Sequence, residues 1–377
     1  LSLFTRRALQ YARPSIPPAV LSDLTESSQA LALRSLQQVA EIQRVLAAFQ
    51  GAGIPVIVLK GLHLRLVVYQ DSMLRSMSDL DLLVAEEYLE WACLLLKELG
   101  YTSLENPLVE ANSCHRIYTS LQARFPIEVH WKIEGGRAGF QVDTPALWGR
   151  AQPLKVFGVE VLALAPEDLI LHLGKHTFKV AALRSLVDLA ESLDHFGEQL
   201  DWSAIEGCAR QWRVSRSLYL ALTLARQVLD AAAPDRLWSE VAQDSATPPM
   251  LAFTRTQIER QLGGEKASYS PRWARFWQAR GWGAKLRALG AVAFPSRAML
   301  AHRNRAPFSA VATAWRMPLF YLGHWVELVR DKLPILLKLA RRSPAAVEKM
   351  ETAAQYDALR QYMRGKVSEY LPLCEKE

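Results

Sequence analysis

The hydrophobic period of this chain changes once, near Ala165, and that change limits the folds open to it. Upstream, short apolar runs of strand character alternate with stretches whose apolar residues recur every three or four positions. Downstream, the helical spacing continues. Residues 29–50 (QALALRSLQQVAEIQRVLAAFQ) show that helical spacing and end at Gly51-Ala52-Gly53, which predicts an amphipathic helix with a glycine stop. IPVIVLKG (54–61) reads as a buried strand, LHLRLVVYQ (62–70) as a resumed helix and DSMLRSMS (71–78) as a loop. DLDLLV (79–84) alternates charge with Leu and Val as a strand does, and AEEYLEWACLLLKELG (85–100) is a second glycine-stopped helix. A further strand or hairpin is expected from about His115, and FPIEVHW (125–131) alternates again. Helix, strand, helix, strand, helix predicts an α/β part with a small mixed sheet.

Pro166 followed by Glu167 and Asp168 marks a helix start near Ala165, because proline suits the first turn and acidic residues suit the positive end of the helix dipole. Helices are expected at about 166–180, 183–196, 202–213 and 216–232. Connections in DAAAPDRLWSEVAQDSATPP (230–249) and QLGGEKASYSPRW (261–273) then suggest three regions: 1–164, α/β with N-terminal helices; 165–265, helical; 266–377, basic, aromatic-rich and helical.

With 377 residues the chain exceeds the usual size of a single core, and half of its residues are hydrophobic, so it should fold as more than one globular part. Cys93, Cys114, Cys208 and Cys374 form no close pair, which suggests neither a disulfide framework nor a zinc motif and fits a reducing cytoplasm. The opening LSLFTRRALQYARPSIPP lacks a long apolar segment and makes a poor signal peptide. The net charge of +7 is local: residues 271–342 hold fourteen Lys and Arg against Glu327 and Asp331, a net of +12, so the rest of the chain sums to −5. Trp273, Phe276, Trp277, Trp282, Phe294, Phe308, Trp315, Phe320, Tyr321 and Trp325 interleave with those cations, which suits an anionic partner, either nucleic acid or a membrane surface. A true span is not expected, since Arg316, Pro318, His324 and Glu327 interrupt the most apolar stretch.

The chemistry concentrates upstream. Residues i and i+2 of a strand share a face, so Asp79 and Asp81 project together while Leu80 and Leu82 face the core. The same parity pairs Glu128 with His130. If those strands are neighbours, three carboxylates converge, and such a trio repels itself unless hard divalent cations neutralise it, as in sites that hold Mg²⁺ against a triphosphate. Lys60 and Gly61, at a strand-to-helix turn, offer a charge and accessible backbone N–H groups for phosphates. Arg75 is expected either on phosphate or paired with an aspartate that holds its loop, and His130 beside Glu128 is expected to be scaffold. His172 and His176 are one helical turn apart, but without an intervening glutamate or a third ligand they do not suggest zinc. They are expected at a domain interface or lining the cleft with Lys175 and Lys179, with Asp188 pairing to that group.

Taken together, Lys60-Gly61, Tyr69, Arg75, Asp79-Leu80-Asp81 and Ile127-Glu128-Val129-His130-Trp131 resemble the poorly characterised bacterial nucleotidyltransferase family of the polymerase β-like superfamily. The likeness extends into PEDLILHLGKHTFKVAALRSLVDLAESL (166–193), which is similar to the start of that family's helical region. Leu62 stands where the wider superfamily has a second Gly or Ser. The resemblance implies an α+β fold, with Asp79, Asp81 and Glu128 as catalytic metal ligands and Lys60, Gly61 and Arg75 on the nucleotide. It implies Mg²⁺ or Mn²⁺, an NTP (ATP expected) and in-line transfer of an NMP to an acceptor hydroxyl by a two-metal displacement. The acceptor would be a peptide natural product or a glycan. Two alternatives are a catalytically silent module docking on nucleic acid or membrane through residues 271–342, and a toxin-like enzyme that modifies tRNA. A cytoplasmic protein, peripheral at the membrane if the basic region docks there, is expected.

Overall fold

The computed structural model describes residues 16–69, 75–103, 114–123, 125–133, 140–178, 182–234, 237–262, 317–340 and 344–365, with isolated positions between 281 and 295. In chain order the elements are α1 (Pro18–Gly51), β1 (Ile57–Val58), α2 (Lys60–His63, running on as a π-helical turn over Leu64–Val68), β2 (Leu80–Leu83), α3 (Leu89–Glu98), β3 (Thr102–Ser103), β4 (His115–Thr119), β5 (Ile127–His130), α4 (Thr144–Arg150), β6 (Gln152–Val156), β7 (Val159–Ala163), α5 (Pro166–His176), α6 (Ala182–Phe196), α7 (Trp202–Gln211), α8 (Ser215–Leu229), α9 (Ser239–Ala242), α10 (Thr247–Leu262), α11 (Met317–Ala340) and α12 (Pro344–Met363). The helix expected at 29–50 begins earlier, behind Pro17 and with Pro18 in its first turn. The α+β reading of the sequence holds.

Among the described residues, seven strands form one mixed sheet in the order β3-β4-β5-β2-β1-β7-β6. The strand at 79–84 and the strand at 125–131 are neighbours: β2 and β5 run parallel with Leu80 opposite Ile127, Asp81 opposite Glu128 and Leu83 opposite His130. β1 lies between β2 (antiparallel) and β7 (parallel). The hairpin β6–β7 has no counterpart in the sequence reading. Its turn is Phe157-Gly158, both at positive φ (48° and 91°), the tight geometry that matches the twist of an antiparallel pair.

The sheet has a dry face and a chemical one. Leu80, Leu82, Ile127 and Val129 are fully buried and join Ile42, Leu46 and Phe49 of α1 and Cys93 and Leu96 of α3 in one core cluster. Each such side chain contributes about 1.5–3 kcal/mol on burial, enough together to hold β2 and β5 in register despite the charges on the alternate positions. α5 to α8 pack on one another and belong, with the sheet, to a compact unit that covers 1–104 and 113–237. Gly174 of α5 lets α8 approach closely, for a Cβ there would meet Leu218 Cδ1 at 2.3 Å.

The second unit, 105–112 and 238–377, is helical where described. α10 and α12 are joined by an Arg260–Glu348 ion pair of 2.8 Å and an edge-on contact of Phe253 with Tyr356. Of the basic aromatic segment, most of 271–316 lies outside the described residues, Trp273, Phe276, Trp277, Trp282, Phe308 and Trp315 among them. Trp325 donates to the Ala293 carbonyl (2.7 Å) and Tyr321 to that of Pro295 (2.8 Å), with Phe294 against both rings. Among the described residues no helix is long and apolar enough to cross a membrane.

Candidate functional site

The site is built on the chemical face of β1, β2 and β5. β1 delivers the chain through extended Leu59, whose N–H donates to the Asp81 carbonyl (3.1 Å), into Lys60. Lys60 sits at φ 39°, a left-handed conformation unfavourable for a side chain with a Cβ and one that clusters at functional turns. Gly61 follows, where a Cβ would come within 3.0 Å of Met77 Cγ, so the turn and the loop before β2 are packed too closely for a larger residue. That loop is tied to α1 by Gln38, whose side-chain amide donates to the Met77 carbonyl (3.1 Å).

Asp81 is 3% exposed. An unpaired carboxylate so deep would cost several kcal/mol, and two donors meet it: Lys60 Nζ and His130 Nε2, each 2.9 Å from Oδ1. Burial alone would raise the Asp81 pKa, but the His130 hydrogen bond and the Lys60 charge hold it well below the usual carboxylate range. Lys60 responds in kind: burial works to lower its pKa and Asp81 more than compensates, so the ammonium is retained. Glu128 Oε2 lies 3.4 Å from the same His130 nitrogen. Asp79, at the head of β2, has its pKa raised by burial and by the neighbouring charges of Asp81 and Glu128. Three carboxylates therefore share one small region with one lysine and one histidine. Asp81, Glu128 and His130 bring a ligand atom each within 4.8 Å of one another, a spacing that could hold a metal ion.

His130 is the hydrogen-bonded scaffold beside Glu128 that the sequence suggests, and it reaches Asp81 as well. Burial opposes its protonation, but the hydrogen bond to Asp81, with Cys114 and Glu128 close by, pushes its pKa up to about 10. His115 stacks on it from β4 with ring centroids 4.9 Å apart. The Cys114 thiol, which burial alone would raise, is brought down to about 6 by His115 and His130. The alternation of IEVHW marked His130 as facing the same side as Glu128; nothing in the sequence marked Cys114 or His115 as its neighbours.

Arg75 lies with an aspartate. Its guanidinium straddles Asp188 of α6, Nε to Oδ1 at 2.6 Å and Nη2 to Oδ2 at 2.8 Å, while the Tyr69 hydroxyl donates to Oδ1 at 2.8 Å. Asp188 thus pairs with Arg75 and Tyr69, not with the histidine and lysine group of α5, because α6 turns this residue toward the loop before β2. Arg184, one turn earlier on α6 and not singled out in the sequence, donates to the Ser76 carbonyl of that loop. On α5, His172 and His176 stack at 4.5 Å, and Lys175 donates to the Ile133 carbonyl (3.1 Å). His172 is held neutral by burial first and then by the charges of Lys175 and Lys60. Lys179 lies outside the described residues.

Among known proteins, no curated sequence matches the chain. Solved structures similar to part of it include two of one protein. One is a solution structure of the antibiotic-resistance factor ANT(2'')-Ia, 14% identical over 51% of this chain and 98% of that one, with a TM-score of 0.36. The other is a crystal structure of ANT(2'')-Ia in complex with adenylyl-2''-tobramycin, 15% identical over 47% of this chain and 97% of that one, with a TM-score of 0.34. The model of the uncharacterised nucleotidyltransferase family matches residues 2–230, which contain the whole sheet and α5 to α8. By that match over more than half its length, the chain belongs to the uncharacterised nucleotidyltransferase family.

Proposed function

We propose that this nucleotidyltransferase moves the NMP of an NTP, ATP before the others, onto a hydroxyl of a peptide or glycan-type acceptor, with Asp79, Asp81 and Glu128 as its catalytic carboxylates. The observation that carries the reading is the register of β2 and β5, which sets Asp81 beside Glu128 across from the Lys60-Gly61 turn, all within the segment that matches the family. The donor set fits a hard divalent cation, Mg²⁺ or Mn²⁺, because it is rich in carboxylate oxygen, with ligand atoms of Asp81 and Glu128 within 4.8 Å of each other. Asp79, Asp81 and Glu128 would hold it, and when bound it would neutralise the carboxylates and stabilise charge on the transferring phosphoryl group and its pyrophosphate leaving group.

The chain's own residues account for the rest. Lys60 is the ammonium nearest Asp81 and, released from it, becomes a counter-charge for the triphosphate; Gly61 lets the turn pack against Met77 and so sets Lys60 in place on the nucleotide. Glu128, with 21% of its side chain exposed, is the base for the acceptor hydroxyl. Arg75 fixes the approach to Asp79 through Asp188. Calorimetry of each NTP with Mg²⁺ tests this on the intact protein and on an Asp79→Asn/Asp81→Asn variant. Binding that needs both the cation and the aspartates supports the reading; an intact protein that binds no NTP overturns it and favours a silent docking module.

A further inference from the structure

A second cluster of ligating side chains lies behind the carboxylates, on β4 and β5. His115 and His130 are directly opposite in the antiparallel pairing of these strands, which places their side chains on one face. Cys114 immediately precedes β4, and its Sγ is 3.7 Å from His115 Nδ1. One ligand atom from each of Cys114, His115 and His130 lies within 4.8 Å of the other two. A tetrahedral zinc ion with ordinary Zn–S and Zn–N bonds separates neighbouring ligand atoms by about 3.5 Å, so small rotations about the side-chain bonds would close the set around one ion.

His130 supplies the independent observation. The residue is 5% exposed, Nε2 is engaged by Asp81, and Nδ1 is buried without a hydrogen-bond partner. A buried ring nitrogen left unpaired is a cost that proteins rarely carry without a use for it. Histidines that ligate a metal through one nitrogen generally give the other N–H to a carboxylate, which fixes the tautomer and strengthens the ligand. Asp81 and His130 already have that relation, with the ligand lobe of His130 directed away from Asp81.

We propose that Cys114, His115 and His130 form a binding site for a borderline-soft divalent cation of the zinc type, distinct from the hard, carboxylate-rich site of Asp79, Asp81 and Glu128. One thiolate and two imidazoles select zinc-like ions over Mg²⁺. Cys114 and His115 are only half-buried, so the fourth position of the ion is open to water or to a substrate atom. The ion clamps β4 to β5 at the level of His130, and through the His130–Asp81 hydrogen bond it orients the carboxylate that the nucleotide chemistry needs. The proposal does not depend on that chemistry.

The test uses the full chain, stripped with a chelator and reloaded with Zn²⁺ or Co²⁺ alone. Expected are one Zn²⁺ per chain by elemental analysis, no displacement by excess Mg²⁺, and for Co²⁺ a tetrahedral spectrum with a thiolate charge-transfer band. Cys114→Ser should abolish that band and weaken binding by at least about 100-fold, and Asp79→Asn should retain both. The band in the intact protein reports thiolate ligation even if a variant folds poorly. Absence of stoichiometric binding, a cobalt spectrum without a thiolate band, or a band that survives Cys114→Ser would each overturn the assignment.

Discussion

Removing the Asp188 carboxylate is the perturbation whose effect the structure fixes most closely. Arg75 and Asp188 are 12% and 6% exposed at their side chains, so their two short hydrogen bonds form in a largely water-excluded place, and Tyr69 adds a third contact to the same carboxylate. Asp188→Ala deletes the acceptor and leaves the Arg75 charge buried without it. Breaking such a pair from one side costs about 3–5 kcal/mol, because the orphaned charge keeps its desolvation penalty. In a unit of this size each kcal/mol moves the melting temperature by about 2–4 °C, so a fall of roughly 6–20 °C is expected in a thermal melt. The double variant Arg75→Met/Asp188→Ala removes the orphan and should recover at least about 2 kcal/mol relative to additivity. The loop that these residues hold leads directly into Asp79, so nucleotide affinity should fall with stability in the single variant and partly return in the double. A single-variant cost below about 1 kcal/mol, or strict additivity of the two changes, would refute the idea that this pair anchors the loop.

Other perturbations follow from the same geometry. His63 is 1% exposed and burial holds its pKa down to about 4, so the unfolded chain binds more protons than the folded one between about pH 6.5 and 4. Stability should therefore fall by about 3 kcal/mol as pH drops through that window, with buried His172 acting in the same direction, and urea melts of His63→Gln should show a shallower fall. Gly174→Ala drives a methyl group into Leu218 at the α5–α8 contact and should cost about 1–3 kcal/mol by chemical denaturation, with little change if α8 can shift aside. Lys60→Met removes the ammonium that competes for Asp81, so calorimetry should show Mg²⁺ alone binding at least as tightly while NTP affinity falls about ten-fold, equivalent to about 1.4 kcal/mol.

Much of the site was legible before any fold was known, for a definite reason. Side chains alternate along a strand with period two, so DLDLLV and IEVHW assign Asp79 with Asp81 and Glu128 with His130 to common faces from local geometry alone. Helical spacing, glycine stops and the proline of the first turn likewise located α3, α5, α6, α7 and α8 to within a few residues, since those signals act over one or two turns. The β6–β7 hairpin escaped because its turn pairs phenylalanine with glycine rather than the Asn-Gly or Asp-Gly that advertise such a bend.

What the sequence determined, then, is which residues share a face; which faces meet was decided by the tertiary structure. Strand order and register depend on burying Leu80, Leu82, Ile127 and Val129 against α1 and α3, a cooperative choice that no single segment encodes, and that choice set Asp81 beside Glu128. Arg75 and Asp188 are 113 residues apart, and only the packing of α6 against the turn after α2 selected one partner for that arginine among many carboxylates. Cys114, His115 and His130 came together in the same way, through the antiparallel register of β4 on β5, because contacts of long sequence separation are fixed by packing and carry no local period to announce them.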